Sequence, residues 1–554
     1  MLKYLCFGAA GAVGLTAAAL ASSCGSTEVT CEDLATCSRS TTGQDGGGGH
    51  EGGGSGGDGG AEANEASTDV EAAPGCSATK TPAEDVCVID EHYGVFVSPK
   101  PAPDDADGSR AHPFASLATA FQAAKAGGGL RVYACDDGSG YSEQLVLDAS
   151  IDGIALYGGF RCDDWTYSTA RQATVNAPTP IAVKIQNLMV GFSVQDFAFT
   201  AADAATKGDS SIGVLISGSQ HVRFSRVTIT AGKAMDGDSA VGTIVAAGPG
   251  APGNQGNSAC ESLQVVTPGT TMCAPAESST GGTGGSGATA SGIGQSGVPG
   301  SWTPSVATSG GGAGSGEGEF YSGTGWDCSS PQRGAGQVGA SGSEGSVGLG
   351  APSSATLDAA GWHVSRGTTG GNGHVGQGGG GGGGAKAPLV CGGDAASPTG
   401  ASGGSGGAGG CGGIGGGGGG SGGSSVALAS FNSDVTLDVC KLVATSGGIG
   451  GDGAPGQRGG VGGRGGDNGM GSGTARNACS GGKGGDGGNG GPGGGGAGGD
   501  SLGVAYVGMM PVITGTGGMI TVGTPGAAGT DGNAQTTGPG AGAVGRSQTS
   551  VEIK

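Results

Sequence analysis

SSIGVLISGSQHVRFSRVTITAGKAMDGDS, residues 210–239, returns as SSVALASFNSDVTLDVCKLVATSGGIGGDG at 424–453. Both copies open on two serines, carry short apolar runs and then pass into glycine-rich sequence. A degenerate third copy, SLGVAYVGMMPVITGTGGMITVGTPGAAG, occupies 501–529. The runs are too short for helices, often alternate apolar with polar residues, and are separated by turn residues, so they predict β-strands. Because the copies run into glycine at equivalent points, each glycine-rich stretch is expected to leave the strands at one common edge.

The same texture continues upstream. LRVYA (130–134), EQLVLD (143–148), GIALYG (153–158), ATVNA (173–177), IAVKI (181–185) and MVGFSV (189–194) are further short runs. One helix is expected over Ser116–Ala126, with Leu117, Phe121 and Ala124 near one face and Gly127 to end it. The combination of Asp107, Gly108, Ser109, Pro113, Phe114, Ser116 and Leu117 with Gly140, Tyr141 and Glu143 resembles the opening of pectin-lyase-like, right-handed parallel β-helix proteins. That resemblance covers roughly residues 92–235. It implies a mainly β fold, a right-handed parallel β-helix interrupted by glycine-rich insertions that are polyglycine II-like or disordered.

Composition limits what else the chain can be. Of 554 residues 137 are Gly and only 4% are aromatic, so much of the length has little apolar surface to bury. The net charge of -21 and the lack of a basic stripe argue against nucleic-acid partners. The N-terminus, MLKYLCFGAAGAVGLTAAALASSC, has one lysine, an apolar run and small residues before Cys24, the shape of an export signal. Its LASSC ending resembles the lipobox of bacterial lipoproteins, although Leu20 stands one place earlier than usual. The resemblance implies lipidation at Cys24, a membrane partner through that anchor, and an address at the outer membrane or cell surface.

These features divide the chain into a signal peptide (1–23), a flexible acidic glycine-rich tether (24–75), and a cap with first coils (76–240). A glycine-rich insertion (241–424), one coil (425–446), a GGx insertion (447–500), and C-terminal coils with a tail (501–554) follow.

Glycine recurs every third residue over 367–384, 403–420, 447–467 and 481–501. Collagen would need abundant Pro, and Pro455 and Pro492 are nearly alone. The segments ending near Asp452, Asp467 and Asp486 resemble calcium-binding nonapeptide repeats, but Ala454, Gly469 and Gly488 stand where that roll needs a large apolar residue. A GGx repeat instead suits extended three-residue helices that pair laterally, as in polyglycine II. The tracts also resemble those of PGRS-type glycine-rich surface proteins of mycobacteria, without their N-terminal helical hairpin.

Export makes cysteines disulfide candidates. Closeness in sequence suggests pairing Cys31 with Cys37, Cys76 with Cys87, Cys135 with Cys162, Cys260 with Cys273, and Cys391 with Cys411. Cys440, in the apolar LDVCKLV, is the expected free thiol. No CxxC occurs and the histidines are scattered, so neither a metal nor a cofactor is expected. Asp163 and Asp164 beside Trp165 form a compact acid pair in the strand region, and a turn accounts for them better than catalysis. The expectation is a non-enzymatic, lipid-anchored surface protein, structural or adhesive, with other surface proteins or extracellular glycans as partners. The alternative is a carbohydrate-binding or polysaccharide-degrading protein with its groove on residues 130–230.

Overall fold

Alternating apolar residues in the short runs gather into three parallel sheets around one core. The computed structural model describes residues 76–554 apart from 129–130, 262–263, 291, 304–309, 320–324, 354, 392–397 and 554. Cys24, Cys31 and Cys37, with the rest of the signal and tether, lie outside the described residues.

The first sheet orders β1 (Val95–Val97), β2 (Arg131–Cys135), β4 (Ala155–Phe160), β7 (Phe192–Gln195), β10 (Val222–Ser225), β18 (Val435–Asp438) and β21 (Val512–Thr514). The second holds β5 (Ala173–Asn176), β8 (Phe197–Thr200), β11 (Thr228–Thr230), β19 (Lys441–Val443) and β22 (Met519–Thr521). The third holds β3 (Leu145–Leu147), β6 (Ile181–Gln186), β9 (Ser211–Ser217), β17 (Ser425–Phe431), β20 (Ser501–Val507) and β23 (Ser547–Glu552). The three sequence repeats are neighbours here, with Ser211 opposite Ser425 and Ser425 opposite Ser501. Inward residues such as Val194, Phe224, Leu437, Phe199, Ile229 and Val214 share one buried cluster.

Bends between sheets repeat from layer to layer. Between first- and second-sheet strands stand Asp196, Arg226, Val439 and Gly515, each with positive φ (58°, 53°, 51° and 79°). These corners stack: the Asp196 N–H donates to Ser225 O, that of Arg226 to Asp438 O and that of Val439 to Thr514 O. Left-handed backbone is uncommon outside glycine, so a column of it marks a corner fixed by its neighbours. At the first end α1 (Leu117–Ala126) packs against β1, β2 and β3. Its N-terminus is held by the Glu143 carboxylate, which accepts from Leu117 N–H at 2.8 Å, Ala118 N–H at 3.3 Å and the Ser116 hydroxyl at 3.0 Å.

The right-handed parallel β-helix expected from the family resemblance is corrected. Among the described residues the strands are divided among five sheets, and two of these are antiparallel. They are β12 (Thr270–Cys273), β13 (Glu277–Thr280) and β14 (Ser301–Thr303), and the hairpin β15 (Thr356–Asp358) with β16 (Gly361–His363). No single ladder of coils describes the molecule, because residues 231–424 and 444–500 are dominated by an extended, non-strand architecture with its own hydrogen bonds. The physical reason is glycine: without side chains to fill a pleated surface, these tracts gain little from strand pairing.

In that architecture successive residues donate in three directions. The Ser402 N–H donates to Asn257 O, that of Gly403 to Gly285 O and that of Gly404 to Cys479 O, and each series repeats every third residue. Gly407, Gly410, Gly413, Gly416 and Gly419 continue the last series onto Gly482, Gly485, Gly488, Gly491 and Gly494 at 2.9–3.0 Å. A β-strand donates in two opposed directions within one sheet, whereas these tracts bind neighbours on every side.

The number of glycines per triplet follows the number of covered faces. In the run Gly378–Gly384, a Cβ on any of the seven residues would fall within 2.1 Å of a carbonyl oxygen of another tract. In 447–467 five of seven triplets keep one side chain, the others being Gly-Ala-Pro and Gly-Gln-Arg, and Ile449, Asp452, Arg458, Val461, Arg464 and Asp467 are exposed. In 336–348 only Gly336, Gly339, Gly342, Gly345 and Gly348 meet a neighbouring tract closely. One irregularity interrupts the outer tract. Ala240 donates to Asp452 O, but the next donor, Ala247, reaches Arg458 O, so seven residues face six. The slack lies at 241–246, where Val241 and Ile244 are exposed.

Gly381→Ala is expected to destabilise the protein by about 4 kcal/mol or more, since its Cβ would lie 1.8 Å from Thr283 O. Val461→Ala, on an outer face, should stay within about 0.5 kcal/mol. Denaturant unfolding of the two variants beside wild type checks both values.

Candidate functional site

Residues whose chemistry attracts attention in the sequence are occupied by local structure. Asp163 and Asp164 flank the Arg161 guanidinium at 3.5 and 3.9 Å. Asp164 also accepts from the Thr166 hydroxyl at 2.7 Å and N–H at 3.1 Å, and these bonds hold its carboxyl below the usual range. Trp165 between them takes φ 57°, and its Nε1 donates to Arg110 O. An ionised acid closing a turn is not a proton donor for glycoside cleavage.

The aspartates of the calcium-like segments bond to the tracts themselves. Asp452 accepts from Thr530 N–H and hydroxyl at 2.8 and 2.9 Å. Asp486 accepts from Gly462 N–H and Lys483 Nζ, each at 2.8 Å, which lowers its carboxyl in that order of importance. Asp467 is exposed. Each described histidine faces a single carboxylate at a separate place: His92 Asp90, His112 Asp105, His221 Asp434, His363 Asp358 and His374 Glu277. Among the described residues no three His, Cys, Asp or Glu side chains converge as metal ligands.

The cysteines are arranged by the tracts rather than by closeness in sequence. Cys76 joins Cys87 and Cys135 joins Cys162. The expected pairs Cys260 with Cys273 and Cys391 with Cys411 are corrected: Cys260 joins Cys391, and Cys273 joins Cys411. A fifth bridge, Cys328–Cys479, joins two cysteines 151 residues apart that closeness in sequence does not pair. The cause is antiparallel pairing of 248–257 with 402–411, in which Ala408 donates to Ala251 O and Cys411 to Gly248 O; it carries Cys260 toward the Cys391 end, and β12 then folds back so that Thr271 meets Ala251 and Cys273 lies at Cys411. Cys440 is buried as the free thiol among the described residues, its Sγ 3.4 Å from Phe224 O, and burial raises the thiol to about 11.

One cleft remains with chemistry unspent. The hairpin β15–β16 folds over the outer face of the third sheet, where Leu357 and Trp362 pack with Ile212, Leu215, Val426 and Leu502. Beside Trp362 lies a cleft of about 460 Å³, floored by Ile181, Ile212 and Leu215 and rimmed by Lys184, Asp209 and His363. The Trp362 Nε1–H is enclosed and has no hydrogen-bond partner. Neither Lys184 nor Asp209 has a side-chain partner among the described residues. An apolar floor, an indole and unpaired groups of both signs suit a small polar ligand with an apolar face. Residues 360–364, which close this cleft, stand far in sequence from the strands of residues 130–230. Only the apolar-polar hairpin TLDAAGWH hints at them.

Comparison with family profiles, curated proteins and solved structures gives no match.

Peptide mapping without reductant should recover Cys260–Cys391, Cys273–Cys411 and Cys328–Cys479 as linked peptides. Alkylation at neutral pH should leave Cys440 unlabelled in the folded chain and label it after denaturation. Labelling of native Cys440 would contradict its burial.

Proposed function

We propose that the chain is a non-enzymatic, lipid-anchored cell-surface protein whose glycine array is a structural or adhesive element. The observation that supports this reading best is the enclosure of Gly378–Gly384, where every face is taken by another tract. Such an interior has no room for a substrate or for catalytic side chains. It contributes shape and stiffness, and presents chosen residues on its outer faces. The acid pair nearest to catalytic chemistry, Asp163 and Asp164, is spent on Arg161 and Thr166.

The anchoring part of the proposal rests on the sequence before Cys24. Metabolic palmitate labelling should mark the full chain and not Cys24→Ala, and only the labelled chain should partition with membranes. Protease added to intact cells should degrade the anchored chain. Failure of labelling in wild type, or protection from protease, would overturn the address. Turnover of acidic polysaccharides that disappears in the Asp163→Ala, Asp164→Ala double variant would overturn the non-enzymatic reading.

The cleft at Trp362 favours a second reading, recognition of an extracellular glycan. Its unpaired Lys184 and Asp209 beside the Trp362 ring are the supporting groups. In a glycan-array screen, Lys184→Ala with Trp362→Ala should weaken any specific hit by about tenfold or more, and an unchanged hit would place recognition elsewhere.

A further inference from the structure

We propose that the end of the three parallel sheets formed by β21, β22 and β23 is a self-association surface, on which two copies of this chain pair tail to tail. Each of these strands has a hydrogen-bonded neighbour on one side only, β18, β19 and β20 respectively. Among the described residues the edges of β21 and β22, in the layer of β20, and of β23, one layer further, therefore present unpaired N–H and C=O groups, a ready template for another chain.

The core also stops there without a cover. In one inward column Val194, Phe224, Leu437 and Ile513 lie in register. The first three are at most 1% exposed, while Ile513 is 47% exposed. Met519, opposite Lys441, and Met509, Met510 and Val512 add a further apolar surface, each more than half exposed. The opposite end differs: α1 lies over it and buries Leu117, Ala120, Phe121 and Ala124. Stacked repeat architectures need such covers at both ends, and among the described residues this end has none.

Charge identifies the occupant. The chain carries a net charge of -21, so two copies repel over most of their surfaces. From Val507 to Thr530 there is no Asp, Glu, Lys, Arg or His. Edge strands are commonly guarded by charged side chains; β21 and β22 carry none, and β23 carries only Glu552. This end, where β21 and β22 carry no charge, is where two like-charged copies can meet. Since α1 obstructs the first end, pairing joins like ends about a twofold axis, and the assembly closes at two.

Sedimentation of the full chain in nonionic detergent, carrying Cys24→Ala so that no acyl chain contributes, tests the proposal over a concentration series. The expected result is a dimer that becomes monomeric in the Ile513→Lys, Met519→Lys double variant, with unchanged circular dichroism. Ile244→Lys, on the exposed slack of the outer tract, should leave the dimer intact. A wild-type monomer throughout, or a dimer that survives in the folded double variant, overturns the proposal. Should the double variant fail to fold, amide exchange on the Cys24→Ala chain decides. Protection of β21 and β22 that rises with concentration supports pairing. Protection independent of concentration overturns it, whether the edge stays open or is covered within one chain.

Discussion

A peptide group removed from water must find a partner, and a residue without a side chain offers nothing else to bind with. The glycine array meets this constraint by sending three successive N–H groups to three different tracts, as Ser402, Gly403 and Gly404 do. Close approach is the condition for those bonds, and a Cβ on a covered face would occupy the place of a carbonyl oxygen. The rest of the protein is arranged around this condition. Strands of the parallel sheets feed the tracts at their ends: β19 leads into 447 and β20 follows 500. Layers of the sheets and tracts of the array therefore share one stacking order.

Such an array is costly to order, since glycine loses more conformational freedom than any other residue and contributes no apolar surface. Bridges between distant tracts offset part of that cost. Cys260–Cys391, Cys273–Cys411 and Cys328–Cys479 close loops of 131 to 151 residues. Chain-entropy arguments give about 5 kcal/mol for loops of this length, more than for a bridge between near neighbours. The sheets supply a second support, with a core on one face of the third sheet and the β15–β16 hairpin on the other. At the corner between the first and second sheets the buried Asp196 carboxylate accepts from Arg226 Nε at 2.7 Å.

Much of the local structure is legible in the sequence, and most of the assembly is not. Short alternating runs mark the strands, Ser116 and Gly127 bound the helix, and the copies at 210, 424 and 501 belong side by side. A resemblance over residues 92–235 extends too far when it assigns the whole chain to one β-helix, because local spacing does not reveal how sheets and tracts are grouped. The cysteine partners fail for the same reason: antiparallel tracts bring Cys391 to Cys260 across residues that sequence distance treats as remote. The cleft depends on a hairpin from within an insertion reaching back to β6 and β9, and no spacing announces that. The triplet composition, by contrast, contains more than its period. Unbroken glycine at 378–384 marks the interior, and one glycine in three at 336–348 marks the rim.

The seven-against-six step between Ala240 and Ala247 bears on how such a protein can change length. Adding three residues to a tract preserves which side chains face outward and extends the rod by one repeat. Adding one residue rotates every later position onto a new face, where its side chain collides with a carbonyl. The array thus has a reading frame of its own, kept by sterics rather than by codons. Residues 241–246 absorb one frameshift in an exposed stretch, and Gly250, Gly253 and Gly256 then restore glycine to the covered face in the new phase.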